Sequence, residues 1–314
     1  MLDFPDIQIE TSTYCNSNCI MYPISSMKRE RRFMDIELYK KIIDDLPFTF
    51  DKYISPFLNG EPLLNPKILE YLEYTRNKLP NAKIRLFTNG SLIDKFQEGI
   101  LKDDLLDNIF FSFDGGTKEA YEKVRHGLSF DKVSSNIHNF IKARNELGKT
   151  KPSIYIPMVV MDENKSSIDN FKKEFRDADD IGLHKKFNFA IGEKKKRSKL
   201  WYFLNKQNFC QRFNSVLTLL VDGKVSMCCF DYEGKEIIGD VSKDSIKNIW
   251  NGKSMKNKVE LLKKRKFESL LLCAKCNAIE HNIISQQVIK IEPMLRKIGI
   301  FNIVKEMWVK RIIH

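Results

Sequence analysis

Residues 9–23 read I-E-T-S-T-Y-C-N-S-N-C-I-M-Y-P. Apolar and polar residues alternate through Ile7–Glu10, the pattern of a half-buried strand, and that strand delivers Cys15 and Cys19 into the loop beyond it. Tyr22 follows in the same loop. The other five of the seven cysteines, Cys210, Cys228, Cys229, Cys273 and Cys276, fall near the far end of the chain. The N-terminal stretch M-L-D-F-P-D-I-Q-I-E lacks a basic, apolar, small-residue signal, and no run approaches the roughly 18 apolar residues of a membrane span. A cytoplasmic protein is therefore expected. In such a reducing compartment, cysteines serve more often as metal ligands or catalysts than as disulfides, so the two groups predict two metal sites.

Working outward, strand-like runs at 7–10, 53–58, 83–88, 108–113, 154–160 and 186–190 alternate with helix-period segments at 35–46, 66–78, 117–124, 131–146 and 166–176. Such alternation predicts an α/β protein of βα units around a parallel sheet. With 314 residues and 36.8 kDa, the chain is long enough for one barrel-sized domain and a smaller module. The polar, basic stretch from Gly192 to Ser198 marks the boundary, giving expected units at 1–195, 196–285 and 286–314.

A first strand running into a cysteine loop resembles the radical SAM enzymes (SAM, S-adenosylmethionine), whose first strand leads into CxxxCxxC. The resemblance implies a partial (β/α)6 TIM-like barrel followed by a small β-hairpin/helix auxiliary-cluster domain. Three thiolates on one short loop can hold three irons of a [4Fe-4S] cluster, and thiolate is the usual ligand for such clusters. The open fourth iron would chelate the amino and carboxylate groups of SAM. Cys15 and Cys19 are then the expected ligands, but Tyr22 stands where the third cysteine should be. A phenol of pKa about 10 must ionise before its oxygen can ligate. Three accounts remain open: an unusual oxygen ligand, a scaffold that has lost SAM cleavage, or a single-codon change in an active lineage.

Ligands of parallel α/β folds gather at the carboxyl ends of strands. There, Asn59-Gly60-Glu61-Pro62 resembles the family's GGEP element, which holds the SAM amino group. Gly60 permits close backbone approach and Pro62 stiffens the turn. Thr88-Asn89-Gly90 and Ser112-Phe113-Asp114-Gly115-Gly116 resemble family segments at the next strand ends, the second supplying contacts to the ribose. A plain turn at Asn89 and a helix cap at Asp114 with Thr117 explain the same residues equally well. Tyr121-Glu122-Lys123-Val124-Arg125-His126-Gly127 resembles a further family stretch in which Arg125 would pair with the SAM carboxylate; a surface arginine at a helix end is the competing reading. The resemblance thus names Gly60, Glu61, Pro62, Asn89, Ser112, Asp114 and Arg125 as cofactor-binding residues. Matches in order on consecutive strands carry more than any one of them.

The distal cysteines, with Gly223 between Cys210 and Cys228, resemble the auxiliary-cluster region called SPASM or, shortened, twitch. Four thiolates, Cys210, Cys228, Cys273 and Cys276, suffice for one auxiliary [4Fe-4S] cluster. Leu217–Val221 and Lys224–Cys229 read as a hairpin about an Asp222-Gly223 turn, and Ile238–Val241 and Asn248–Trp250 also look like this region. Tetrahedral zinc suits the same four thiols. Cys229 is either a substitute ligand or a small buried neighbour.

A net charge of +12 is consistent with a solvated basic surface or an anionic partner, but no nucleic-acid module is recognisable. The tail from Pro293, with Lys297, Lys305, Lys310 and Arg311 among Leu295, Ile298, Phe301, Val304, Trp308 and Ile312, is amphipathic. It suits a packed terminal helix or a peripheral contact with an anionic membrane. The resemblance implies a radical SAM oxidoreductase: a 5′-deoxyadenosyl radical takes hydrogen from a small polar, sugar-like or amino-alcohol substrate, and the auxiliary cluster accepts the electron. Flavodoxin or ferredoxin is the implied type of electron donor. A peptide-modifying maturase and a catalytically inactive iron–sulfur or zinc protein are the alternatives. No catalytic acid or base is identified.

Overall fold

The computed structural model describes residues 4–194, 210, 213 and 215–278. Eleven strands are present among them: β1 (Asp6–Ile9), β2 (Asn18–Cys19), β3 (Tyr53–Ser55), β4 (Lys83–Thr88), β5 (Asn108–Phe111), β6 (Arg125–His126), β7 (Ser153–Val160), β8 (Asp180–Lys185), β9 (Val216–Leu219), β10 (Lys224–Ser226) and β11 (Ile237–Asp240). The helices are α1 (Ile36–Asp44), α2 (Ile68–Lys78), α3 (Gln97–Lys102), α4 (Lys118–Val124), α5 (Phe130–Glu146), α6 (Ile168–Glu174), α7 (Ile246–Asn251) and α8 (Lys253–Lys263).

One nine-stranded sheet organises the chain in the order β11-β10-β9-β1-β3-β4-β5-β7-β8. The six strands from β1 to β8 in this order run parallel, and helices cross between them, as the alternating pattern requires. The hairpin β9–β10 does not stand apart from this sheet. β9 pairs in parallel with β1, Ile7 opposite Leu217 and Ile9 opposite Leu219, so the auxiliary region extends the sheet of the first. The turn between β9 and β10 needs Gly223, whose φ of +85° is costly for residues with a Cβ.

Period-two alternation decides which side of the sheet is covered. Ile7, Ile9, Ile54, Ile84, Leu86, Ile109, Ile154 and Ile156 are fully buried against helices. In α1, Ile36, Tyr39, Ile42 and Ile43 form the matching apolar stripe. Asp35 caps this helix by accepting from the amides of Glu37 and Leu38, a contribution of about 1 kcal/mol. On the opposite face, half-buried rings run across neighbouring strands: Phe57 to Phe87 at 5.1 Å, Phe87 to Phe110 at 4.2 Å and Phe110 to Tyr155 at 5.2 Å.

The sixth parallel strand corrects the sequence expectation. It spans Asp180–Lys185 rather than 186–190. Asp180, Gly182 and His184 leave one face of this strand without apolar side chains, while Ile181 and Leu183 pack on the helix side. Residues 186–190 instead form an irregular segment with Phe189 and Ala190 at φ +47° and +54°. No helix among the described residues is long and apolar enough to cross a membrane. The expected boundary at 195/196 and the tail 286–314, with its proposed membrane contact, lie outside the described residues.

Candidate active site

Beyond β1 the chain passes Cys15 and reaches Cys19 in β2, a two-residue strand paired with β6. Cys19 sits directly opposite Arg125 in that ladder, and the amide of Ile20 donates to the carbonyl of Val124 at 3.0 Å. Backbone pairing therefore fixes Arg125, at the end of α4, beside the buried thiol. The hydroxyl of Ser17 lies 3.1 Å from Cys19 Sγ.

A pocket at the carboxyl ends of the parallel strands joins Cys15, Cys19 and Tyr22 to Asn59, Gly60, Glu61, Asn89, Ser112 and Arg125. Ser17, Ile24, Phe57 and Thr88 complete its wall. Most of the residues named from sequence thus share one cavity. Pro62 and Asp114 do not line it: Pro62 opens a 3-10 turn, and Asp114 stands behind Arg125.

Asp114 is 0% exposed and wholly committed. Its Oδ2 accepts from Arg125 Nε at 2.7 Å and Nη2 at 2.5 Å, and its Oδ1 accepts from the amide of Val159 at 2.6 Å. Its side chain thus holds Arg125 and the Val159 amide in place. Burial works against the guanidinium's charge, but Asp114 outweighs this and holds the Arg125 pKa above its ordinary value. Arg125 therefore remains cationic beside the thiols.

The turn at Gly60 is pressed against the cysteine loop. A Cβ on Gly60 would lie 2.3 Å from the Ser12 carbonyl oxygen and 2.5 Å from that of Tyr14, closer than real contacts allow. The Glu61 amide donates to the Tyr14 carbonyl at 2.8 Å. The buried Glu61 carboxylate accepts from the Thr88 hydroxyl at 2.6 Å and the Asn89 amide at 2.7 Å, while burial raises its pKa. Asn89 Nδ2 donates to Asn16 Oδ1 at 2.9 Å, and Asn16 Nδ2 donates to Ser91 Oγ at 2.9 Å. The ends of β3 and β4 are thereby stitched to the cysteine loop.

The donor set at this loop is two thiols and one phenol. Burial pushes Cys15 up to about 11, with Arg125 partly opposing it, and pushes Tyr22 up to about 12. Two of the three positions fit an iron–sulfur cluster as they stand. The third offers oxygen that must lose its proton to iron before it can ligate.

No two of the seven cysteines are joined in a disulfide. In the distal set, Cys228 packs against the core containing Cys210 and Cys273 and also against the cluster containing Cys276, Phe189 and Phe230. Its thiol is hydrogen-bonded to that of Cys229, which, together with burial, raises its pKa well above the usual thiol value. Backbone amides of Phe230 and Ala278 approach the sulfurs of Cys228 and Cys276 at 3.5 and 3.3 Å. Soft thiols with amide donors around them suit a cluster of iron and sulfide. Among the described residues, no three His, Cys, Asp or Glu side chains close around a single ion.

The irregular segment after β8 connects the two cysteine sets. Asn188 donates from Nδ2 to the Lys275 carbonyl at 2.7 Å and exchanges amide bonds with Asn277. Phe189 meets Phe230 at 5.0 Å and Tyr22 at 4.7 Å. Sequence reading missed Asn16, Ser17, Phe57 and Phe189 as members of this region. Only the polar run N-S-N between the first two cysteines hinted at them.

The radical SAM superfamily model matches residues 9–175, and the SPASM iron-sulfur cluster-binding domain model matches residues 210–277. The chain belongs to the radical SAM superfamily. Its family models imply [4Fe-4S] clusters and SAM as cofactors.

Similarity extends to an S-adenosyl-L-methionine-dependent 2-deoxy-scyllo-inosamine dehydrogenase of Niallia circulans, 22% identical over 278 residues, covering 88% of this chain and 94% of that one. A tungsten-containing aldehyde ferredoxin oxidoreductase cofactor-modifying protein of Pyrococcus furiosus is 28% identical over 160 residues, covering 50% of this chain but 44% of that protein. Among solved structures, BtrN in complex with AdoMet and 2-DOIA has a TM-score of 0.61 at 19% identity, covering 88% of this chain and 94% of BtrN. Streptococcus suis SuiB bound to its precursor peptide SuiA has 0.65 at 15%, covering 87% and 71%. These structural likenesses establish the radical SAM fold.

Proposed function

We propose that this chain is a radical SAM oxidoreductase that removes hydrogen from a small polar, sugar-like or amino-alcohol substrate, with an electron passing to an auxiliary cluster. The observation that carries the reading is the single pocket uniting Cys15 and Cys19 with Asn59–Glu61, Asn89, Ser112 and Arg125. Similarity over most of both chains to a dehydrogenase of an amino-alcohol supports the substrate class.

In this reading Cys15, Cys19 and the oxygen of Tyr22 hold the first cluster, whose chemistry when bound is one-electron cleavage of SAM. The Gly60–Glu61 turn receives the SAM amino group, Arg125 its carboxylate, and Ser112 its ribose. Asp114 keeps Arg125 charged and oriented. Cys210, Cys228, Cys273 and Cys276 hold the auxiliary cluster. The rings of Phe57, Phe87 and Phe110 and the 2.7 Å hydrogen bond between Tyr155 Oη and His184 Nε2 give the open sheet face both apolar and polar contacts for a ring-shaped substrate. Anaerobic incubation of the reconstituted protein with SAM, reductant and a panel of amino-cyclitols and short peptides tests it. Substrate-dependent 5′-deoxyadenosine and a ketone product support it, whereas product from peptides alone favours a maturase.

One observation favours a second reading. The first loop brings two thiols and a phenol to the pocket where the family pattern has three thiols, so a protein that keeps only the auxiliary cluster and does not cleave SAM has a physical basis in the same structure.

A further inference from the structure

Glu10 follows β1 and is 0% exposed, yet its carboxylate is engaged four ways. Oε1 accepts from Arg29 Nη2 at 2.6 Å and from Asn59 Nδ2 at 2.7 Å. Oε2 accepts from Arg29 Nη1 at 2.8 Å and from the amide of Val221 at 3.0 Å. Arg29 uses its remaining fork position, Nε, to donate to the Tyr232 carbonyl at 2.7 Å. Next to it, the Lys28 amide donates to Glu233 Oε1 at 3.0 Å.

These partners belong to three different structural units. Arg29 and Lys28 lie on the return of the loop that carries Cys15 and Cys19. Asn59 precedes the glycine that presses on that loop. Val221, Tyr232 and Glu233 flank the hairpin and turn that present Cys228. Glu10 is absent from the pocket wall, and the four hydrogen bonds of its carboxylate go to Arg29, Asn59 and Val221.

A buried carboxylate is expensive, and an apolar side chain at the end of β1 would cost less. What the ion pair supplies is direction: a bidentate fork admits one relative placement of two segments, where apolar packing admits several. We propose that Glu10, acting through Arg29, is a positioning residue that locks the loop of Cys15 and Cys19 to the hairpin of Cys228. Filling the auxiliary site thereby orders the first site before SAM arrives. The coupling rests on the reading of the distal cysteines as a cluster site, and its test is arranged so that the two can fail separately.

The test is hydrogen–deuterium exchange on the full chain in a Cys15→Ala/Cys19→Ala background, where only the distal cysteines remain to take a cluster. Exchange is compared before and after anaerobic loading with ferrous iron and sulfide. The reporters in the first loop are the amides of Thr13, Ile20 and Met34, which donate to the carbonyls of Arg32, Val124 and Thr11. With Glu10 intact, loading should slow these amides about tenfold along with those of 216–240. With Glu10→Gln, it should slow 216–240 alone.

A control, Leu219→Ala, weakens the β1–β9 seam without touching the ion pair. It should lower the melting temperature yet preserve the effect of loading on the first loop, which separates positioning from general stability. Equal slowing with and without Glu10, or none with Glu10 present, would overturn the proposal. Failure to take up iron sinks the cluster reading instead, and the metal-free chains then decide. There, Glu10→Gln must speed exchange in 13–34 and 216–232 by the same factor, and acceleration of one segment alone refutes the lock.

Discussion

The ring of Tyr22 packs on the ring of Phe189 with centroids 4.7 Å apart and planes inclined at 46°. Tyr22 belongs to the pocket of Cys15 and Cys19, and Phe189 belongs to the side-chain cluster of Cys228, Cys229 and Cys276. The residue that departs from the family's cysteine pattern is therefore also a contact between the regions of the two cysteine sets. Its substitution probes both ligation and that contact.

Tyr22→Phe retains the ring and the stacking while removing the oxygen. If that oxygen is the third ligand, reconstituted iron should fall from about eight to about four per chain, with the melting temperature shifting by no more than about 2 °C. Tyr22→Cys should retain about eight irons. Iron analysis beside a thermal melt checks both, and an unchanged iron content in Tyr22→Phe would rule out oxygen ligation.

Asp114→Asn removes the charge facing Arg125 in a pair whose side chains are 1% and 7% exposed. An uncompensated buried guanidinium should destabilise the fold by about 3–5 kcal/mol. Urea denaturation measures this, and a loss below about 1 kcal/mol would mean that water reaches Arg125 readily.

Gly60→Ala forces a methyl group into the backbone of Ser12 and Tyr14. The cysteine loop must move away, and SAM affinity should drop about tenfold or more. Calorimetric titration of reconstituted protein is the direct check, with unchanged affinity as the contrary result.

Asp107 titrates below its ordinary value of 3.8. Burial alone would raise it, but hydrogen bonds from Arg76, Lys151 and the Ile84 amide outweigh burial. The folded state therefore holds this proton less tightly than the unfolded chain. The resulting stability is present above the ordinary carboxylate value and is lost as pH falls through the lower folded value. Asp107→Asn should cost about 1–2 kcal/mol at pH 7, with the gap closing below about pH 4 in melts taken across that range.

Much of the architecture was legible because it is written locally. Ile7 with Ile9, and Ile84 with Leu86, announce strands by alternation, and the apolar period of Ile36, Tyr39, Ile42 and Ile43 announces α1. β8 was misplaced because, at the edge of the sheet among the described residues, Asp180 and His184 replace apolar residues on the face away from the helices. The pocket was legible through short turns at strand ends, Asn59–Pro62 and Thr88–Gly90. Glu10, Arg29, Asn16 and Phe189 were not, since their partners lie far away in sequence and no local pattern marks a side chain that acts across 211 positions. The pairing of Asp114 with Arg125 was not legible either, since it depends on how the end of α4 brings Arg125 back over β5.

The most direct test of the account is anaerobic reconstitution of the unaltered chain, followed by iron, sulfide and zinc analysis and assay of 5′-deoxyadenosine after adding SAM and dithionite. The account predicts about eight irons and eight sulfides per chain, with 5′-deoxyadenosine formed. About four irons without cleavage, or zinc in place of iron, would contradict it.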